Sequence, residues 1–473
     1  MTKLIGRDSD KKILSNAYKS NRAELIVVYG RRRIGKTFLV HQVYKQQINF
    51  EFSGIYKANL KGQLKNFHLK LSSKGSKFTI PKDWLEAFYQ LGNFLDTIKS
   101  KKKKVIFIDE FPWLDTRKSN FLSAFDNFWN SYASVRDDIV VVICGSAASY
   151  MINNIIKSKG GLHNRLTEKI QLLPLNLLET ELLLKNNKVN LSRYDITLLY
   201  MALGGVPHYL EKILPGESVS QILDRLCFEK NGFLRTEFDN VFASLFDQFD
   251  NHEKIIRTLS SVRKGLTRND ISLKTKIKTG GRLSKTLSEL EESGFIDKYI
   301  PYKGTNDSLY RLTDEYCMFY IKYVEKSNPS KSGVWIKLQG QQSFKIWSGF
   351  SFETICIKHV DQIKEVLKIA GINSTHGSWL EKNKTKGAQI DLLIDRSDNV
   401  INVCEMKFYN AQYTINKNYA DDITNKINTF TNSTKTKKSL FVTFITSYGL
   451  KQNKYSLQLV QNELILDDLF IEV

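Results

Sequence analysis

"YGRRRIGKTF", Tyr29 to Phe38, is the stretch that decides how the rest of the chain is read. Gly30, Gly35, Lys36 and Thr37 fall in the spacing G-x-x-x-x-G-K-[ST]. In that spacing the glycines let a loop wrap phosphates with its backbone N–H groups. The lysine reaches the β- and γ-phosphates, and the threonine hydroxyl ligates Mg²⁺. The flanks agree. "AELIVVY" (Ala23 to Tyr29) is an apolar run suited to a buried strand, and "KTFLVHQVY" reads as a helix whose positive N-terminal end faces the phosphates. Arg31, Arg32, Arg33, Ile34 and Phe38 complete the stretch expected to surround ATP.

A matching acidic segment lies downstream. In "VIFIDEFPWL" (Val105 to Leu114) four apolar residues lead into Asp109 and Glu110. Asp109, at the end of such a strand, is placed to hold the Mg²⁺ shell, and Glu110 to orient or deprotonate the attacking water. "DDIVVVICGSAASYM" (Asp137 to Met151) reads as a further buried strand that delivers Ser146 beside the γ-phosphate. Arg165 is a candidate finger for charge developing on that phosphate. It acts either within the subunit or across an interface between copies, and the sequence leaves both open. Strands alternating with helices argue for a parallel sheet, with ligands beyond the carboxyl ends of its strands.

The chain has 473 residues, 42% of them hydrophobic, room for two to four domains. Its formal charge of +21 favours a polyanionic partner, nucleic acid before an anionic membrane. No apolar run is long enough to span a bilayer, and "MTKLIGRDSD" lacks a signal-peptide core. Five cysteines at 144, 227, 317, 356 and 404 form no C-x-x-C pair. A cytoplasmic protein without a membrane partner is the expectation.

From His252 three short helical stretches precede "DKYIPYKG" and "SLYRLTD", which resemble a β-hairpin; three helices and a hairpin make a winged helix. Lys276, Lys278, Arg282 and Lys285 are suited to phosphate contacts on double-stranded DNA. "EKSNPSKSGVW" reads as a linker. Beyond it, "GFSFETICIKHV" reads as a helix with Glu353, "AQIDLLIDR" as a strand with Asp391, and "NVINVCEMKF" as a strand with Glu405 and Lys407. Alternation puts Glu405 and Lys407 on one face, and hairpin pairing brings Asp391 beside them. Carboxylates round Mg²⁺ with a lysine nearby would make a site for cation-assisted hydrolysis, with Lys407 holding the water or steadying the phosphorane.

These residues resemble the archaeal-type AAA-like ATPases of archaea and bacteria, close to the signal-transduction ATPases with numerous domains. The resemblance rests on the Gly6–Arg7 pair, "YGRRRIGKT", "FIDEFPWL", "CGSAASYM", "GGVPHYL" and "YRLTDEYCMFYIKYV". Members end in a nuclease-like domain of PD-(D/E)xK type, which implies a metal site at Glu353, Asp391 and Glu405 with Lys407 as its lysine. Gln389 stands where the family often has glutamate, and the segment around Arg165 departs from the family's run. The expected fold class is α/β: a P-loop NTPase parallel sheet (1–175), a helical lid (176–245), a winged-helix domain (246–325), a linker (326–345) and a restriction-endonuclease-like α/β domain (346–473). The expected function is an ATP-hydrolysing switch on DNA, with a homo-oligomer as a further partner. The alternative is a signalling ATPase whose last two domains bind protein without cleavage.

Overall fold

Short runs rich in Val, Ile and Phe, bounded by turn residues, become strands of the N-terminal part. The computed structural model describes residues 4–75, 77–157, 162, 164–246, 249–302, 307–329, 333–381 and 387–473. It divides into two units: Met1–Pro174 with Ala243–Asp247 and Ser288–Gly294, and Leu175–Phe242 with Gln248–Leu287 and Phe295–Val473.

The first unit holds β1 (Glu24–Tyr29), β2 (Ile48–Ser53), β3 (Lys104–Asp109), β4 (Ile139–Gly145) and β5 (Glu168–Gln171). All pair in parallel, in the order β2-β3-β4-β1-β5. Both faces are covered, as a parallel sheet requires, and every residue of β3 and β4 is buried. One face packs on Phe67, Trp84, Phe88 and Phe121 from the helices Leu60–Ser72, Trp84–Thr97 and Phe121–Phe128. The other packs on Leu14, Leu39, Val40 and Tyr44 from Asp8–Lys19 and Lys36–Tyr44. Because β4 lies between β1 and β3, the loops that follow these three strands meet at one carboxyl edge.

The second unit begins with helices, among them Leu177–Asn186, Arg193–Leu203 and Val219–Leu223. Next come helices Asp250–Ser260, Arg268–Thr275 and Gly281–Glu292, the last of which belongs to the first unit from Ser288 on, interleaved with β6 (Leu266–Thr267), β7 (Ile296–Tyr299) and β8 (Leu309–Leu312). These strands form an antiparallel sheet in the order β6-β8-β7. The chain ends in an α/β domain. Its sheet runs β13-β12-β11-β10-β9, built from β9 (Ser374–Glu381), β10 (Ala388–Arg396), β11 (Val400–Lys407), β12 (Ser439–Thr446) and β13 (Asn462–Ile465). The first three strands pair antiparallel and the last three parallel.

The 326–345 segment is not the plain linker its Ser, Pro and Gly content suggests. It carries the helix Val334–Gln339, and the next helix, Gln342–Lys358, starts before residue 346. Trp335 is fully buried there, its ring against Phe319 at 5.2 Å and Trp347 at 5.8 Å. One large apolar side chain outweighs the turn-forming residues around it. The five cysteines are unbonded and buried. Among the described residues no helix is long and apolar enough to cross a membrane.

Candidate nucleotide site and carboxylate cluster

Gly30 leaves β1 with φ 144°, and a Cβ there would meet Leu172 O at 2.3 Å and Ile34 Cδ1 at 2.6 Å. Only glycine fits this position. Gly35 has φ 90°, a backbone conformation that side chains rarely adopt, with open space where its Cβ would be. Between them Arg31 and Ile34 are buried, Arg33 has a left-handed φ of 70°, and Arg32 is exposed. Lys36 opens the helix Lys36–Tyr44 with only 7% of its surface exposed; its Nζ donates to Gly30 O and Arg31 O, each at 2.9 Å. Burial holds its pKa below the usual lysine value, while Glu110 and Asp109 pull the other way. Phe38, on the same helix, is exposed.

The register of β3 beside β4 places the acids opposite this loop. Thr37 Oγ1 donates to Asp109 Oδ2 at 2.7 Å, although the two are 72 residues apart. These oxygen donors fit a hard cation such as Mg²⁺. Glu110 sits in the left-handed region at φ 44°, pinned by its N–H on Asp109 Oδ1 at 2.9 Å and by Trp113 N–H on its carbonyl at 2.9 Å. Ser146, following β4, donates its hydroxyl to Glu110 Oε2 at 2.8 Å. Arg165 lies in an exposed turn before β5, with its N–H on Leu162 O at 3.1 Å. Hydrogen bonds therefore link Thr37, Asp109, Glu110 and Ser146 in one chain, with Lys36 beside Thr37 bonded to the loop carbonyls.

In the second unit, Glu353 on Gln342–Lys358 and Asp391 on β10 converge on one cation, the guanidinium of Arg263. Its Nη2 pairs with Glu353 and lies 3.0 Å from Asp391 Oδ2. Burial and then the charge of Asp391 push Glu353 up to about 7, against the pull of Arg263. Gln389 donates its amide to Asp391 Oδ1. Glu405 is turned elsewhere: the Tyr419 hydroxyl donates to its Oε2 at 2.7 Å, and the Lys426 ammonium pairs with its Oε1. Lys407 lies over the Tyr419 ring at 4.8 Å, its pKa lowered by burial against the pull of Glu405.

The sequence places Glu353, Asp391 and Glu405 round one metal. Among the described residues no three His, Cys, Asp or Glu side chains are grouped to hold one. The physical reason is that Lys426 and Tyr419 satisfy the buried Glu405, leaving two carboxylates to Arg263. Neither Arg263 nor Lys426 is visible as a partner in the sequence. The seven-residue spacing of Tyr419 and Lys426 on the helix Lys417–Thr434 is the one signal that puts them on a common face. Lys276, Lys278, Arg282 and Lys285 are all exposed.

The sequence and the fold have counterparts in other proteins. Residues 5–213 match the family described as an ATPase domain predominantly from Archaea. Over these residues the chain is similar to an archaeal-type ATPase domain. An uncharacterized protein of Methanocaldococcus jannaschii is 26% identical over 399 residues, 82% of this chain and 83% of its own length. The Walker-type ATPase of Pyrococcus abyssi superposes with a TM-score of 0.50 at 14% identity, covering 68% of this chain and 97% of that one. The ORC2 protein of Aeropyrum pernix, in ADPNP–ADP complexes, gives 0.47 at 14% identity, covering 72% of this chain and 96% of that one. At such identity the structural likeness concerns the fold, a P-loop-type ATPase sheet.

Proposed function

We propose that the chain is an ATP-hydrolysing switch acting on double-stranded DNA. The observation that carries this reading is the 2.7 Å contact of Thr37 with Asp109 beside the buried Lys36. The Gly30–Thr37 loop binds the triphosphate, and Lys36 exchanges the carbonyls of Gly30 and Arg31 for the β- and γ-phosphates. Thr37 and Asp109 would hold Mg²⁺, which would supply positive charge against those phosphates. Glu110 takes the proton of the attacking water. Ser146 holds Glu110 in the resting site; when its hydroxyl turns to the γ-phosphate, the carboxylate is released to the water. Arg165 serves as a finger, in its own subunit or a neighbour's.

The helices between 176 and 245 act as a lid in this reading. The segment from Asp250 to Leu312 serves as a winged helix in this reading, which its order of elements, helix–strand–helix–helix–strand–strand, supports. It presents Lys276, Lys278, Arg282 and Lys285 to the DNA backbone. The C-terminal α/β domain is nuclease-like, with Glu353 and Asp391 as its cation ligands and Lys407 beside them.

The test is ATP turnover with and without duplex DNA, beside Lys36→Ala and Glu110→Gln. DNA-stimulated turnover that falls by about 10²-fold or more in Glu110→Gln, with ATP still bound, is the expected result. Turnover indifferent to DNA and to both substitutions would end the proposal. One observation favours a second reading, a signalling ATPase with a silent C-terminal domain: Glu405 is already satisfied by Lys426 and Tyr419. Intact plasmid under all Mg²⁺ and Mn²⁺ conditions, with nucleotide-dependent assembly, would select it.

A further inference from the structure

Arg263 reaches the acids from outside their domain. It sits in the turn between the helix Asp250–Ser260 and β6, 90 residues from Glu353 and 128 from Asp391 in sequence. The turn is held rigidly. Gly265 has φ 74° and a Cβ there would meet Tyr310 O at 2.5 Å. Tyr299 OH donates to Lys264 O at 2.6 Å, and Val262 N–H to Leu259 O at 3.0 Å. The guanidinium carbon lies over the Phe350 ring, 4.1 Å from its centroid and one helical turn before Glu353. A guanidinium held over a ring on a fixed turn loses little freedom on pairing with carboxylates.

The same module grips the domain at a second place. Tyr302 N–H donates to Ser378 O at 2.8 Å on β9, and the Tyr302 ring lies 5.7 Å from Phe430. Two separate attachments thus hold Arg263 against Glu353 and Asp391.

We infer that Arg263 is a built-in competitor for the divalent cation. With the module docked, its guanidinium neutralises Glu353 and Asp391 and keeps the acid pair closed to metal. Withdrawal of the module would leave two adjacent carboxylates with Lys407 as their neighbouring cation, a pair that a divalent ion can then occupy. This inference rests on the reading of Glu353 and Asp391 as a cation site.

The experiment is Mn²⁺ binding to the full-length, nucleotide-free chain, followed by the electron paramagnetic resonance of free Mn²⁺. Four proteins are compared: wild type, Arg263→Ala, Arg263→Gln, and Arg263→Ala with Glu353→Gln and Asp391→Asn. Arg263→Gln keeps a stem over Phe350 and removes the charge, so it stands in where the alanine variant does not fold. The expected result is Mn²⁺ affinity raised roughly tenfold or more in either single variant and lost again in the triple variant. Equal affinity in wild type and single variants, or no binding by any of them, overturns the inference. Plasmid cleavage by the same proteins separates it from the nuclease reading. Tightened Mn²⁺ binding without cleavage upholds the competitor and removes the nuclease.

Discussion

Glu110 and Gly30 show how much of the nucleotide site depends on backbone conformations that most residues avoid. Gly30→Ala puts a Cβ 2.3 Å from Leu172 O, so it is expected to cost about 3 kcal/mol and to abolish ATP binding, read by thermal shift and nucleotide titration. His359 gives a pH dependence of its own. Its Nδ1 donates to Ile355 O at 2.8 Å and its Nε2 accepts Leu177 N–H at 3.1 Å, and burial lowers its pKa to about 4. Below the ordinary value of 6.5 the unfolded chain binds this proton and the folded one does not. Stability contributed here is therefore intact above about pH 6.5 and lost as pH falls toward 4, by about 3 kcal/mol in all. Histidine NMR shifts are expected to report a neutral His359 at pH 5.5; a charged ring at that pH would refute the assignment.

At the scale of elements, the helix Lys417–Thr434 decides the state of Glu405. Lys426→Met is expected to destabilise the C-terminal domain by about 2 kcal/mol, because it leaves a carboxylate that is 6% exposed short of a cation. Adding Glu405→Gln is expected to recover most of that loss in a melting measurement. β1, β3 and β4 of the nucleotide sheet are legible because their apolar runs are short, β-branched and flanked by motif glycines and acids, whereas β5, "EKIQ", has no such run. β9 is not legible either, since "STHGSWLE" alternates little and carries few apolar residues. Asp391 and Glu405 were legible as acids within strands, and the pairing of Leu392 with Cys404 does bring their stretches together. Their partners were not legible, since a guanidinium 128 residues away leaves no local pattern. Trp335 was misjudged for a related reason: its neighbours in the chain favour a turn, while its neighbours in space are aromatic.

At the scale of the whole molecule the excess of 70 basic over 49 acidic residues sets the expected behaviour toward DNA. Binding should weaken linearly in log–log terms as salt rises. Replacing Lys276, Lys278, Arg282 and Lys285 by alanine should flatten that slope by roughly 3 to 4 if each meets one phosphate. An unchanged slope would move the DNA surface elsewhere. The outermost strand of the C-terminal sheet carries a further consequence. β9 is an edge, and Tyr302 occupies one of its carbonyls. Whatever lifts the module from that strand also frees the Ser378 carbonyl and removes Tyr302 from an edge that can recruit other extended chains. A freed domain would then be prone to self-association, so light scattering that rises in an Arg263 variant would count the time the strand spends uncovered.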